Sequence, residues 1–154
     1  MEPTDPIENG RVINAMHEGT FAGSLGLVVE SASRDAVVAT VTIEPRHLQP
    51  QGIVHGGVHA SIVETVASVG AAIDAMGNAR NVVGLENHTS FVRAARAGAL
   101  RATATPITRG RRTQVWDVVI RNLEGETVST GRVRFLVLEQ DADVRGAKLV
   151  TASE

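Results

Sequence analysis

The sequence predicts an α+β domain in which a curved antiparallel sheet wraps around one long central helix. Two observations carry that expectation. From Gly56 to about Met76 the residues are apolar or small almost all round, with Glu64 and Asp74 the only acids and no Lys or Arg. A helix apolar on all sides is a buried helix. On either side stand runs rich in Val, Ile and Thr whose turn signals come at intervals too short for crossover connections, which makes them antiparallel hairpins. A single helix cannot cover both faces of a parallel sheet, so the sheet must curl around it.

The elements follow in order. Met1 to Gly10 is polar and carries Pro3 and Pro6, and Asp141 to Glu154 is mostly polar and small. Residues 1–20 and 141–154 are therefore expected as loosely held tails on one domain at 21–140. Leu25 to Glu30 and Ala36 to Glu44 read as strands, the second alternating Val38, Thr40, Thr42 against Ala39, Val41, Ile43, with a hairpin near Arg34-Asp35. Pro45 to Gly52 is a loop by composition. The long helix follows and closes at Gly77-Asn78, both of which tolerate the left-handed conformation. Strands are then expected at Val82 to Val92, Ala99 to Thr108, Thr113 to Arg121 and Thr127 to Leu138, split by Ala97-Gly98, Arg109-Gly110 and Glu124-Gly125. No internal repeat interrupts this order.

Composition narrows the chemistry. The 154 residues suit one core, and 15 Lys+Arg against 17 Asp+Glu with 3% aromatics lack the basic field and stacking rings that nucleic acid needs. With no Cys, disulfides, thiolate nucleophiles and Cys-type metal centres are excluded, which leaves His, carboxylates and backbone amides. The stretch MEPTDPIENG has acids and prolines where a signal peptide needs a basic and then an apolar segment, so a cytoplasmic protein with no membrane partner is expected.

Three features could carry a reaction. His55-Gly56-Gly57 opens the long helix, where the first amides have no intrahelical partner and two glycines let another group approach. Such a terminus can hold an anion or a developing oxyanion, although two glycines also make a tight bend. Glu64 has Ala60, Ser61, Ala67 and Ser68 as helical neighbours, so no basic residue one turn away pairs with it. An unpaired buried carboxylate is costly and marks a site, unless its strip of small residues faces solvent or an Arg reaches it from a strand. The turn Arg109-Gly110-Arg111-Arg112 offers guanidiniums suited to phosphates, though clustered Arg on a turn is commonly a solvated face. His55 and His59 stand at i, i+4, but Gly56 occupies the place where a zincin has Glu, so metal is a minor reading and no cofactor is expected. Eight residues at about 1.5 Å of rise put Gly56 and Glu64 roughly 12 Å apart, too far for one carbonyl. They converge only if two chains dimerise about a two-fold axis with their helices antiparallel.

The segments LQPQGIVHGGVHASIVETVAS from Leu48, VVGLENHTSFVRAARAGALRA from Val82 and RGRRTQVWDVVIR from Arg109 resemble the hotdog-fold acyl-CoA thioesterases. The likeness leans to the 4-hydroxybenzoyl-CoA thioesterases of the Arthrobacter type and to relatives acting on 1,4-dihydroxy-2-naphthoyl-CoA and phenylacetyl-CoA. It runs from about Gly23 to Glu139, and HGG followed by a helical acid is its most specific part. The resemblance implies a dimer, often paired into a homotetramer, with its site at the subunit interface and an acyl-CoA as substrate. It implies Glu64 as nucleophile or general base, the Gly56 amide polarising the thioester carbonyl, Gln49 beside the carbonyl or water, His55 orienting the loop, and Ser68 hydrogen-bonding the nucleophile or water. Arg93, Gly110, Arg111 and Arg112 match the region that holds the CoA phosphates and pantetheine arm. Two positions depart from the pattern: Arg111-Arg112 replace hydroxyl residues of the Arthrobacter type, and Phe91 replaces a His of the naphthoyl-CoA relatives. A hotdog hydroxyacyl-thioester dehydratase ranks below, because its loop has a Pro near the His where Gly56-Gly57 follow here. A non-catalytic acyl-CoA-binding domain is the reading outside enzymes.

Overall fold

The structure, a computed structural model, describes residues 5–144 together with 147–148. Two helices, α1 (Pro6–His17) and the one-turn α2 (Phe21–Ser24), precede strands β1 (Leu27–Ala32) and β2 (Val37–Thr42). A 3-10 turn at Pro45–His47 leads into α3 (Gly56–Met76), and β3 (Arg80–Phe91), β4 (Ala99–Arg109), β5 (Thr113–Arg121) and β6 (Thr127–Glu139) follow. The six strands form one antiparallel sheet in the order β1-β2-β4-β5-β6-β3. Helix α3 thus carries the chain from β2 across the concave face to the far edge, where β3 pairs with β6.

On α3 the buried residues His59, Ile62, Val63, Val66, Ala67, Gly70, Ala71, Asp74 and Ala75 recur every three or four positions, the spacing of one helical face. They pack on a core that includes Trp116, Val118, Ile120, Val133 and Phe135. Contact is close because two glycines permit it: a Cβ on Gly70 would lie 2.5 Å from the Trp116 ring, and one on Gly131 would collide with Val63. The opposite strip differs from the all-round burial expected from composition. Ala60, Ser61, Glu64, Thr65 and Ser68 are half-exposed, because one curved sheet embraces only one side of a helix.

A second difference concerns the N-terminus. Residues 6–17, placed by composition in a loosely held tail, form α1. Its start is locally encoded: the Asp5 carboxylate accepts from the Ile7 amide at 3.1 Å and Pro6 takes the first turn, where a missing N–H costs nothing. The helix lies along the outer edge of β1. Asn14 donates to the Val29 carbonyl at 2.9 Å and accepts from the Val29 amide at 2.8 Å, while Asn9 donates to the Ala32 carbonyl at 2.9 Å. Gly10 lets the two backbones approach, since a Cβ there would stand 2.9 Å from the Val29 oxygen. The polarity that suggested a tail is that of side chains closing a strand edge.

The sheet's other edge stays open. Among the described residues nothing pairs with the outer side of the 12-residue β3, which exposes Leu85 and Phe91, with Val92 exposed just beyond it. Within the expected C-terminal tail, Asp143–Val144 pairs with Ala147–Lys148 as a two-stranded ribbon, β7 and β8; the remainder of 145–154 lies outside the described residues. The one described helix long and apolar enough to cross a membrane is α3, packed inside the sheet.

Candidate active site

The loop before α3 is fastened by a histidine. His47, 2% exposed, accepts the Glu44 amide on Nδ1 at 3.0 Å, so its Nε2 carries the proton and donates to the Leu25 carbonyl at 3.0 Å. The His47 carbonyl accepts the His55 amide at 2.9 Å, and the Val54 amide donates to Ala95 at 2.8 Å. Gln49 is held between them, its amide donating to Ile53 and its carbonyl accepting from Gly52, both at 2.8 Å.

This clamp sets the first turn of α3. The His55 ring caps the helix, its Nδ1 accepting from the Gly57 amide at 2.8 Å, and the His55 carbonyl accepts from Val58 at 2.9 Å. Of the first three amides, Gly56 alone has no acceptor among the described residues. It stands where the helix dipole favours negative charge. A Cβ on Gly56 would lie 2.8 Å from the tip of the Phe91 ring. A cleft of about 320 Å³ opens here, and Gln49, Gly56, His59, Phe91 and Arg93 line it. Arg93 is tethered at its side by Glu126 at 3.5 Å.

His59 is a structural surprise in that cleft. It is 4% exposed, its Nδ1 meets the Ser129 hydroxyl at 3.1 Å, and its ring centroid is 6.0 Å from that of Phe91. Burial pushes its pKa below the usual histidine value, because desolvation disfavours the charged ring. The i, i+4 pair does not act together: His55 caps the helix while His59 bonds across to β6.

Glu64 sits two turns further on, in a separate cleft of about 240 Å³ with Phe21, Ala60, Ser61, Thr65 and Asn87. Its carboxylate accepts from Ser68 Oγ at 3.5 Å and from Asn87 Nδ2 at 3.4 Å. Asn87 is anchored by donating to the Ala60 carbonyl at 2.9 Å and accepting from Thr89 at 2.7 Å. Gly84 leaves the room: a Cβ there would lie 3.0 Å from Glu64 Oε1, and the β3 bulge beginning at Gly84 bends the strand beside it. Among the described residues no cation pairs with Glu64. The Arg that the sequence allowed for is absent there among the described residues.

The arginine turn occupies the far end of α3. Gly110 and Arg111 line a polar cleft of about 300 Å³ with Asp74, Arg80, Arg109 and Gln114. Buried Asp74 meets Arg34 at 2.9 Å and Arg109 at 3.9 Å, and Gln114 donates to it at 3.0 Å. Arg111 and Arg112 have no ion-pair partner among the described residues. Within one chain, then, the fold unites Gln49, Gly56 and Arg93, unites Glu64 with Ser68, and sets Gly110, Arg111 and Arg112 apart from both.

Sequence reasoning missed the roles of His47, His59 and Asn87. His47 has a local partner in Glu44 and Asn87 in Thr89, but the bonds that fasten them to Leu25, Ala60 and Glu64 join residues distant in sequence. His59 does carry a signal, since it falls three residues after Gly56 on the same helical face.

Three comparisons bear on this geometry. The family model described as the thioesterase superfamily matches residues 51–129. A 1,4-dihydroxy-2-naphthoyl-CoA hydrolase of Escherichia coli is 34% identical over 126 residues, covering 82% of this chain and 92% of that protein. The proofreading thioesterase EntH of Cronobacter sakazakii is 32% identical over 82% of this chain and 91% of its own length. A thioesterase from Haemophilus influenzae, solved as a crystal structure, superposes with a TM-score of 0.80 at 30% identity, covering 84% of this chain and 90% of its own.

Proposed function

The chain belongs to the thioesterase superfamily, has the hotdog fold and is a thioester hydrolase, and from that premise we propose that it hydrolyses an aromatic or medium-chain acyl-CoA in the cytoplasm, at a site shared between two copies of the chain. The observation that carries the reading is the state of two groups on α3. Among the described residues, Gly56 has the one amide without an acceptor in the first three positions of the helix, and Glu64 is a half-buried carboxylate with two weak donors and no cation.

The open β3 edge supports the shared site. Pairing β3 with its copy about a two-fold axis continues the sheet and lays the two α3 helices antiparallel. The half-exposed strip of one helix then faces the N-terminal turn of the other. The thioester oxygen is held by the Gly56 amide of one subunit, with Gln49 beside it and His55 keeping the turn in shape. Glu64 of the other subunit attacks the carbonyl carbon or takes a proton from water that does, and Ser68 orients it. On the first route the CoA thiolate leaves a mixed anhydride that water hydrolyses to the acid, freeing Glu64; on the second the water adds directly, and the proton Glu64 takes passes to the departing thiolate. Arg93 and the Gly110-Arg111-Arg112 turn supply charge for the CoA phosphates, the turn coming from a further subunit in a tetramer because it lies at the far end of its own α3. One matched relative is named for a naphthoyl-CoA substrate, which favours aryl groups first.

The test is release of CoA thiol across a panel of acyl-CoAs. Wild type should turn over aryl substrates, and Glu64→Ala should lower kcat about a thousandfold, the equivalent of roughly 4 kcal/mol. No turnover by wild type, or unchanged turnover by Glu64→Ala, sinks the reading.

A further inference from the structure

We infer that His59 is a catalytic residue whose neutral Nε2–H gives a second hydrogen bond, beside the Gly56 amide, to the thioester oxygen. The inference rests on the shared-site reading above and assigns a role to a residue which that reading leaves idle. A core histidine kept for packing has both ring nitrogens satisfied. His59 has only one: Nδ1 is bonded to Ser129, while Nε2 has no partner among the described residues and is not sealed off from the cleft that the ring lines.

The direction of the Ser129 bond fixes the proton. Ser129 is 0% exposed, and His59 Nδ1 is the one acceptor its hydroxyl has among the described residues. A buried hydroxyl left without an acceptor is costly, so the hydroxyl donates to Nδ1 and the ring proton sits on Nε2. Burial keeps the ring neutral near pH 7, so it is a donor there and not a base. Its position suits the task. His59 follows Gly56 by three residues, which puts both on one face of α3, and helical side chains lean toward the N-terminal turn. Nε2–H therefore approaches the cleft from the turn just beneath the Gly56 amide. The Phe91 ring, 6.0 Å away between centroids, lines the same cleft as an apolar wall beside the donor. Neither donor carries charge, so the pair favours the oxyanion without gripping the ground-state carbonyl.

The experiment uses benzoyl-CoA for turnover and, for binding, its ketone analogue with methylene in place of sulfur and carbon-13 at the carbonyl. His59→Leu should lower kcat about a hundredfold with KM within about threefold, the pattern of a transition-state donor. It should also shrink the downfield shift that wild type imposes on the bound ketone carbon. His59→Gln, which places an amide N–H near the same point, should restore part of both. Nitrogen-15 shifts of wild-type His59 should report the Nε2–H tautomer, a reading that needs no variant to fold. Unchanged kcat and ketone shift in His59→Leu, or an Nδ1–H tautomer in wild type, overturns the inference. Failure of the shared-site reading looks different: Glu64→Ala keeps its turnover while the ketone shift still responds to His59.

Discussion

At the scale of single residues two groups stand out. Among the described residues the Gly56 N–H has no acceptor, and the Glu64 carboxylate has only the long bonds from Ser68 and Asn87 and no cation. Glu64 was legible in the sequence, since the absence of basic residues one turn away needs only helical spacing. Of His59 only its place on the Gly56 face was legible, because its partner Ser129 lies 70 residues on. Burial has a measurable consequence for folding as well. Desolvation holds His59 and His17 below the unperturbed value of 6.5. The unfolded chain therefore binds protons more readily than the folded one just below that pH, and stability rises with pH wherever the unfolded state binds more. Stability should be complete above about pH 6.5 and decline as pH falls beneath it, read as the urea midpoint between about pH 5 and pH 8. His59→Leu should flatten part of that decline, and a midpoint that does not move with pH contradicts the assignment.

At the scale of elements, α3 and the hairpins were legible because their periodicity is local. The strand order was not, since pairing β3 with β6 depends on where α3 delivers the chain. The half-exposed strip on α3 was misread for a related reason: small residues satisfy a buried face and a subunit interface equally. Helix α1 was missed although Asp5-Pro6 is a helix-start signal, because its fixing contacts are two Asn side chains on a strand edge. Those contacts make a prediction. Asn14→Ala removes both bonds to Val29 and leaves its amide and carbonyl unpaired, which should cost about 1–3 kcal/mol. Hydrogen exchange at the Val29 amide should accelerate more than at β5. Equal protection in the variant would show that α1 does not close that edge.

At the scale of the whole molecule, the two edges of the sheet have opposite fates. α1 closes β1 with asparagines, and among the described residues β3 stays open over 12 residues. A long open edge with exposed Leu85 and Phe91 is a place for a second copy. The proposed site needs one because about 12 Å of helix separates Gly56 from Glu64, and the two line different clefts. Complementation tests the sharing most directly. Gly56→Pro deletes the amide donor at a position where Pro suits the first helical turn, His55 before it is extended (φ −64°, ψ 138°), and the 62% exposed Phe91 ring can swing aside. Glu64→Ala deletes the carboxylate. Each variant alone should be nearly inactive on benzoyl-CoA, and the two co-expressed should recover about a quarter of wild-type turnover, because half the dimers are mixed and one of their two sites is intact. Activity no greater than that of the two variants measured separately would contradict a site shared between subunits.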